Sequence, residues 1–473
     1  MGFDIANQAL VIGSVIGYIL LTSALALVLR SRTNAQFMVG SRALPAAVIG
    51  ILLMTEFIGA KSTVGTAQEA FESGMGASWS VLAASIGFLL LALFFARKIY
   101  NSEQHTISGL VEQRFGKGTR IVVSLLMIYA LLLVNVGNYV SGAAALAEAL
   151  HVNLTVATFI LAGFSSVYFV FGGIKSIAYV TLLHSAVKLT GIAILVAVAA
   201  SLTGGLEPMQ RTLPPVYFTW DGRVGFATIF AWTMGTVGAI FSTQFIVQAI
   251  ASNKDANSAR LSVFLATLLC LPLGFALAFI GVAAKFLYPD MDSLYALPVF
   301  ISKMPPLLGT IVVVSLVASV IVSVSVVALA TTSLVMRDFY VPWRKPDEAH
   351  EFKATRWIGL TVGVAPLVCV FYTPGILELS FFSRALRLSI AIVALIGVYL
   401  PFVGSQRSAM WALISSGVAT TAWYLLGNPF GIDNMYVAAI VPGVVLASDR
   451  LFGGTKQPRV TPIDPVVVAA KVD

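Results

Sequence analysis

Charged side chains are scarce in this sequence. Asp, Glu, Lys and Arg make up 11% of its 473 residues, whereas hydrophobic residues make up 58%. A soluble domain carries about a quarter charged residues, so the composition excludes a soluble globular protein. It indicates an integral membrane protein with many spans, in which one membrane domain takes up nearly the whole chain.

Cysteine and the short motifs of several enzyme classes are also scarce or missing. The two cysteines, Cys270 and Cys369, lie in apolar runs, which excludes a disulfide framework or a cysteine-based metal site. The sequence contains no P-loop motif GxxxxGKS/T, no HExxH and no GxSxG, so we expect no enzyme. The formal charge of +8 does not predict nucleic-acid binding, because basic residues retained in cytoplasmic loops produce such an excess. We expect no cofactor and no obligate protein partner.

Apolar runs long enough to cross a bilayer recur along the chain. The N-terminal residues contain an acid and no basic stretch, so the first run is predicted to stay as a span and not to be cleaved. About 20 apolar residues cross the hydrocarbon core as a helix, and this length predicts an all-α membrane protein of about thirteen helices. Their predicted bounds are 8–30, 44–73, 78–97, 119–148, 154–172, 177–203, 225–251, 259–287, 309–337, 356–373, 383–404, 408–426 and 435–452.

Basic residues decide the predicted orientation. The loops after odd-numbered helices and the C-terminal tail hold about 21 of them, against about 6 on the other side. Those on the other side are Arg211, Arg223, Lys285, Lys303, Arg384 and Arg387. We therefore predict a multi-pass protein of the plasma (inner) membrane with its N-terminus outside. Residues 1–452 would form one transmembrane domain, and residues 453–473 a cytoplasmic tail.

The predicted second helix carries charge and glycine where lipid depth is expected. Glu56 and Lys61 lie within it, and a charge at the bilayer centre costs at least about 2.5–3.5 kcal/mol. Gly59 and Gly65 weaken the helix. The neighbouring hydroxyl groups can bond freed backbone groups or a ligand, and they belong to Thr55, Ser62, Thr63 and Thr66. A broken helix lining a cavity at the membrane midplane is typical of the binding site of a secondary transporter.

The charges of Glu56 and Lys61 have two interpretations. The two residues are five positions apart, a poor spacing in a continuous helix, although a break would let them converge. They either form a buried salt bridge that fixes the break, or they bind a proton or the solute. Ionisable residues inside a membrane are functional by default, and a lysine at this depth can load and release a proton.

Two further predicted helices place polar groups one turn apart. Ser319 and Ser323 lie on one face of helix nine, where their hydroxyls and the carbonyls of the broken helix would suit a hard cation such as Na⁺. The alternative is that these serines pack helices closely and bond the i−4 carbonyl. His184 and Lys188 are likewise four apart in helix six. They form a proton relay, or His184 is a satisfied interfacial residue.

Predicted helix seven is the expected counterpart of helix two. Gly235 and Gly238 have no side chains and so make this helix narrower, and hydroxyl and amide groups follow within three turns. Helices two to six and seven to eleven would then form the two halves of an inverted repeat, although the halves show no clear sequence similarity. The predicted solute-binding residues are Gly59, Ser62, Thr63, Gly65, Phe241 and Gln244.

Several segments together resemble the sodium/solute symporters, which include bacterial proline, galactose and sialic-acid carriers. They are VGSRALP at 39–45, TISGLVEQRFG at 106–116, GGIKSIAYVTLLHS at 172–185, STQFIVQAIASNKDANSAR at 242–260 and MRDFY at 336–340. The resemblance covers residues 1 to about 450. It implies the inverted-repeat fold shared with the bacterial leucine transporter, with a 5+5 core in helices 2–11, working by alternating access.

The resemblance also implies a sodium site that this sequence only partly keeps. Two backbone carbonyls of the broken helix would bind Na⁺, and they fall at Thr55 and Ile58. Side-chain ligands fall at Ser319, Val322 and Ser323, and the valine has no oxygen to offer. A carboxylate that some members carry in helix six falls at Thr181. Another falls at Phe57, beside Glu56, and an indole position of the proline carrier falls at Lys61.

These observations predict a secondary active transporter that moves a small polar organic solute by cation symport. An amino acid or organic acid is favoured, because Lys61 would attract a carboxylate. Na⁺ is the coupling ion by family precedent, and H⁺ is the rival because the sodium site is eroded. The coupling residues would be Glu56, Lys61, Thr181 and Lys188. The alternative is a membrane sensor that binds solute on the same scaffold without transporting it.

Overall fold

The computed structural model describes residues 5–451 except 32, 151, 302, 371–375 and 401. Within these residues the chain is almost entirely helical, and its only β-type pairing is an isolated bridge between Leu44 and Asn253. The predicted tail, residues 453–473, lies outside the described residues. The predicted all-α architecture therefore holds throughout the described part of the chain.

The helices are numbered in chain order. Those of the first half are α1 Ile5–Val28, α2 Asn34–Val39, α3 Ala46–Phe57, α4 Ala60–Ser73, α5 Trp79–Leu90, α6 Ala96–Asn101, α7 Ile107–Leu150, α8 Leu154–Thr203 and α9 Leu206–Thr212. Those of the second half are α10 Phe226–Ser242, α11 Gln244–Ala251, α12 Ala256–Leu287, α13 Pro298–Ile301, α14 Pro306–Leu334, α15 Val341–Arg344, α16 Glu348–Val364, α17 Leu367–Val370, α18 Ile376–Tyr399, α19 Gln406–Leu425 and α20 Asn434–Leu451.

Seven helical stretches of the described chain are long and apolar enough to cross a membrane, or eight if α10 and α11 are one bent span. Several other predicted spans correspond to helices that are shorter or broken, such as α3 with α4. The predicted number of thirteen spans therefore stays a prediction. The predicted orientation likewise stays a prediction.

Two spans are broken at related places in the chain. Between α3 and α4, Ile58 leaves the helical region and Gly59 is extended, with φ −81° and ψ −176°. Between α10 and α11, the axis bends by 47° at Thr243, whose ψ is 124°. The glycine-weakened break predicted in helix two is thus present, and the helix predicted as its counterpart is broken as well.

Helix α14 forms the centre of the molecule. It packs against α7 and α8, while α12 packs against α3, α4 and α5. Small residues permit these contacts, because helices in a membrane associate by close approach of their backbones. Gly50 of α3 shows this, since a β-carbon there would lie 2.8 Å from the Ser262 carbonyl oxygen and 2.9 Å from the Leu265 β-carbon of α12.

A polar cluster ties α7 to the end of α14. The buried Asp338 carboxylate accepts hydrogen bonds from Ser108 Oγ at 2.5 Å and Arg120 Nε at 2.8 Å, and a further one from Ser124. Arg120 also pairs with Glu112 at 2.6 Å. The MRDFY segment therefore contributes a buried acid whose charge is compensated by a neighbouring helix.

The sequence analysis counts Arg384 and Arg387 among the basic residues of the outer side, although its predicted span 383–404 includes both. Both lie within α18, and their residues are only 7% and 6% exposed. A count of basic residues by predicted loop cannot distinguish a loop residue from one near the end of a span whose side chain turns inward. The correction leaves the charge asymmetry that indicates the orientation unchanged in sign.

Substitution of Gly50 by valine is expected to lower the melting temperature of the purified protein. The new side chain would meet α12 within van der Waals distance, and overpacking of this kind typically costs about 1–3 kcal/mol. Gly163→Val is the matched control, since no heavy atom lies within 4 Å of its β-carbon position. Equal melting temperatures for the two variants would contradict the tight α3–α12 contact.

Candidate functional site

The break between α3 and α4 frees backbone carbonyls inside the membrane domain. Thr55 is four residues before Gly59, which is extended, and Ile58 ends the first helix, so neither carbonyl continues a regular helical ladder. Both residues are fully buried. Unpaired carbonyls at this depth cost several kcal/mol each, so they require donors or a cation.

Lys188 of α8 supplies that cation. Its ammonium Nζ lies 2.7 Å from the Ile58 carbonyl oxygen and 3.3 Å from the Thr55 carbonyl oxygen. The residue is 1% exposed. The ammonium therefore contacts the same two carbonyls to which the family resemblance assigns Na⁺. Ser185, one turn earlier on α8, forms a hydrogen bond with the Thr55 hydroxyl.

Ser319 and Ser323 of α14 lie on the buried side of the same break. Each hydroxyl donates to the carbonyl four residues earlier, Ser315 and Ser319 respectively, at 2.9 Å. Ser323 also packs so closely against Gly59 that a β-carbon there would collide with its hydroxyl. This geometry matches the packing alternative, while a role for these hydroxyls in cation binding stays a prediction.

Thr181 and His184 complete the buried polar face of α8. Thr181 is fully buried, and its hydroxyl has no hydrogen-bond partner among the described residues. His184 Nδ1 is hydrogen-bonded to the Tyr18 hydroxyl at 2.5 Å. His184 is thus held by α1, while its part in a proton relay and the coupling role of Thr181 stay predictions.

A cavity of about 30 Å³ lies on the other side of the break. This volume accommodates about one or two water molecules, so the cavity is small in this conformation. Its lining residues are Glu56, Phe57, Gly59, Ser62, Val134, Asn138, Arg384 and Arg387. Gly59 and Ser62 are predicted solute-binding residues, and Glu56 is a predicted coupling residue.

Two other predicted solute-binding residues of α4 do not line this cavity. Thr63 is buried and its hydroxyl donates to the Gly59 carbonyl at 3.0 Å, while Gly65 is buried two residues farther along. Ser62 donates in a similar way to the Phe57 carbonyl at 2.9 Å. These hydroxyls therefore satisfy the broken backbone, and their contact with solute stays a prediction.

The predicted residues of the second broken span lie elsewhere. Phe241 stacks on Phe95 at a centroid distance of 5.6 Å. The Gln244 amide donates to the His105 carbonyl and accepts from the Ile107 amide, both at 2.9 Å. Burial, together with the positive charges of Arg42 and Arg337, lowers the pKa of His105 to about 4, so its imidazole is neutral at pH 7. Solute binding by Phe241 and Gln244 stays a prediction.

The Lys61 side chain lies outside the described residues. The two interpretations of Glu56 and Lys61, a salt bridge or the binding of a proton or solute, therefore both stay predictions. Within the described chain no cluster of three or more His, Cys, Asp or Glu could hold a metal ion.

Sequence reasoning missed the two arginines and Asn138. Arg384 Nη1 donates to the Thr236 hydroxyl and Arg387 Nη1 to the Thr243 hydroxyl, each at 2.9 Å. The segment LSFFSRALRLS at 379–389 held a usable signal, since it places two arginines three apart within an apolar stretch.

Comparison with known proteins places the chain in a family. The sodium:solute symporter family matches residues 37–416, and the protein belongs to it. It is therefore a multi-span membrane protein of a symporter family, as the sequence motifs predicted.

Individual relatives agree with this assignment. The sodium/pantothenate symporter of Escherichia coli K12 is 22% identical over 73% of this chain and 76% of its own length. The Bos taurus sodium/myo-inositol cotransporter 2 is 26% identical over 51% of this chain, which spans only 40% of that protein. The solved structure of a Na⁺-coupled sialic acid symporter in a substrate-bound outward-open state superposes with a TM-score of 0.82 at 16% identity, over 95% of this chain and 99% of that one. The predicted inverted-repeat fold of the leucine-transporter type is thus confirmed.

Thr181→Val is expected to leave the melting temperature unchanged or to raise it. A buried hydroxyl without a partner costs about 1–3 kcal/mol, and valine removes it at nearly constant shape. Ser185→Ala is the matched control, because its hydroxyl is bonded to Thr55 and its loss should cost about 0.5–1.5 kcal/mol. A clear destabilisation by Thr181→Val would instead show that the hydroxyl binds a water or an ion, which would support its coupling role.

Proposed function

We propose that this protein is a secondary transporter for a small organic acid or amino acid, in which the Lys188 ammonium takes the place of the sodium ion. The observation that supports the proposal is the contact of Lys188 Nζ with the Ile58 and Thr55 carbonyls, at 2.7 and 3.3 Å. The protein would act by alternating access in the plasma (inner) membrane, with a solute and the lipid bilayer as its partners, and not as an enzyme.

Electrostatics make simultaneous binding of Na⁺ at this place unfavourable. Two unit charges 4 Å apart repel by about 4 kcal/mol at an effective dielectric constant of 20, which corresponds to about a thousandfold in affinity. Val322, at a ligand position implied by the family, is buried beside the serines and offers no side-chain oxygen. The tethered ammonium and the missing ligand both act against Na⁺.

The driving ion has two candidates. The relatives named above are sodium symporters by name, so Na⁺ is the family precedent, and the contact of Lys188 with the two carbonyls argues against it here. A proton gradient is the second candidate, and it is compatible with a site whose cation is part of the protein. A sensor that binds solute without flux is the remaining alternative, and measurement of transport separates it from both.

Sodium should not stabilise the wild-type protein. A variant that lacks the Lys188 ammonium and carries an added oxygen ligand at position 322 should be stabilised by sodium. We expect equal melting temperatures in sodium chloride and choline chloride for the wild type. Lys188→Ala combined with Val322→Ser removes the ammonium and adds an oxygen, so Na⁺ should raise the melting temperature of this variant by mass action. Lys254→Ala, at an exposed lysine, is the control.

The opposite pattern would refute the proposal. A wild-type protein stabilised by Na⁺ over choline, with the response abolished in Lys188→Ala, would mean that sodium binds with the help of Lys188. Direct binding of ²²Na⁺ to the purified proteins provides a second readout that does not depend on stability.

Uptake into proteoliposomes should proceed without sodium. With choline as the only external cation, a labelled acid that binds the protein is expected to enter at the same rate as with Na⁺. Imposing an inward pH gradient in parallel vesicles then tests the proton. Uptake that requires Na⁺ would contradict the proposal, and binding without any uptake would favour the sensor.

A further inference from the structure

We propose that Arg384 and Arg387 form a carboxylate-binding site, which makes a small organic monoanion the solute of the central cavity. This inference rests on the proposed function in one respect, that the transported solute enters this cavity. The two arginines are three residues apart and therefore on one face of α18. Both line the cavity beside the α3–α4 break.

The polar partners of the two guanidinium groups are neutral. Arg384 donates from Nη1 to Thr236, and Arg387 donates from Nη1 to Thr243 and from Nε to the Ser383 carbonyl at 3.1 Å. None of the ion pairs formed among the described residues includes either arginine. A guanidinium has five N–H donors, so Arg384, with one hydrogen bond among the described residues, keeps most of them for another acceptor.

The arginines are held in place before any solute binds. Arg384 lies between two aromatic rings, 5.3 Å from the Phe57 centroid and 4.8 Å from the Phe381 centroid. Arg387 is anchored at Thr243, the residue at which α10 and α11 break. Residues of three helices thus fix the two charges, which lowers the ordering cost of binding an anion.

The charge of the lining selects the class of solute. Among the described residues that line the cavity, Arg384 and Arg387 contribute two positive charges and Glu56 one negative charge. Burial of a net positive charge is costly, and one carboxylate would neutralise it. Arginine is suited to this task, because its planar fork binds both oxygens of a carboxylate. Val134 and Asn138 would face the rest of a small solute.

The test is ligand-induced stabilisation of the full-length protein in detergent, without sodium and without a gradient. The probes are acetate, pyruvate and lactate, each compared with its uncharged amide, together with myo-inositol as a neutral polyol and nitrate as an inorganic anion. We expect at least one of the acids to raise the melting temperature and its amide to have no effect. Nitrate should bind more weakly than that acid, since it lacks the organic remainder.

Variants assign the effect to the arginines. Arg384→Gln and Arg387→Gln should each weaken binding of the acid by about tenfold or more, because charge-assisted hydrogen bonds are lost. Arg384→Lys keeps the charge without the fork and should give an intermediate affinity. Arg211→Gln, which breaks an exposed pair with Glu207, should bind as the wild type does. If the glutamine variants do not fold, the lysine variant and the acid–amide comparison on the wild type still test the carboxylate-binding site.

Three results with the acids would overturn the proposal. They are equal stabilisation by an acid and its amide, unchanged affinity in folded glutamine variants, and no binding of any acid by the folded wild type. Stabilisation by nitrate equal to that by the acids would show an unselective anion site and would likewise refute a carboxylate site. A sodium requirement in uptake would refute only the sodium-independent function, since these binding measurements contain no sodium.

Discussion

The contact between the Lys188 ammonium and the carbonyls of Thr55 and Ile58 is the interaction on which the rest of the site depends. A helix that breaks inside a membrane domain must find partners for its freed carbonyls, because no water is available there. Side chains of the protein bond carbonyls at the break: Ser62 donates to the Phe57 carbonyl, Thr63 to the Gly59 carbonyl, and Lys188 to the carbonyls of Thr55 and Ile58. These hydrogen bonds stabilise the break, and Lys188 supplies a positive charge beside it.

The broken segment separates two charged regions. Lys188 approaches from α8 on one side, while Arg384 and Arg387 approach from α18 on the cavity side, where Glu56 is the acidic lining residue among the described ones. Each arginine is held by the hydroxyl of a threonine on the second broken span, Thr236 or Thr243. Both broken spans thus contact the charged groups, and a change at either break would alter the position of those charges.

Local pattern predicted the break but not its partner. Gly59 and the hydroxyls around it are adjacent in sequence, so glycine weakening and backbone satisfaction could be argued from residues 52–74 alone. The residues around the break did not predict which cation contacts its carbonyls. The sequence analysis named Lys61 and Lys188 as coupling residues, whereas the structure shows that Lys188, more than a hundred residues away from the break in sequence, reaches the carbonyls through the packing of α8 against α3. The burial of Arg384 and Arg387 was not predicted, for a related reason. A count by loops treats basic residues near the end of a span as solvent-exposed, and only the three-dimensional packing shows that they are buried.

A cation that belongs to the protein changes what an ion gradient can do. A ligand shifts a conformational equilibrium only through its differential affinity for the two states, and an ammonium that never leaves draws no energy from a sodium gradient. An anionic solute adds an energetic cost that the driving ion must offset. Moving one negative charge into a cell whose interior is negative costs about 2.3 kcal/mol per 100 mV, and a tethered cation that stays behind does not offset this cost. Co-transport of one proton with a monocarboxylate would make the cycle electroneutral and remove the opposing potential. The two inferences, a resident cation at the break and a carboxylate at the arginine pair, therefore together favour the proton over sodium as the coupled ion.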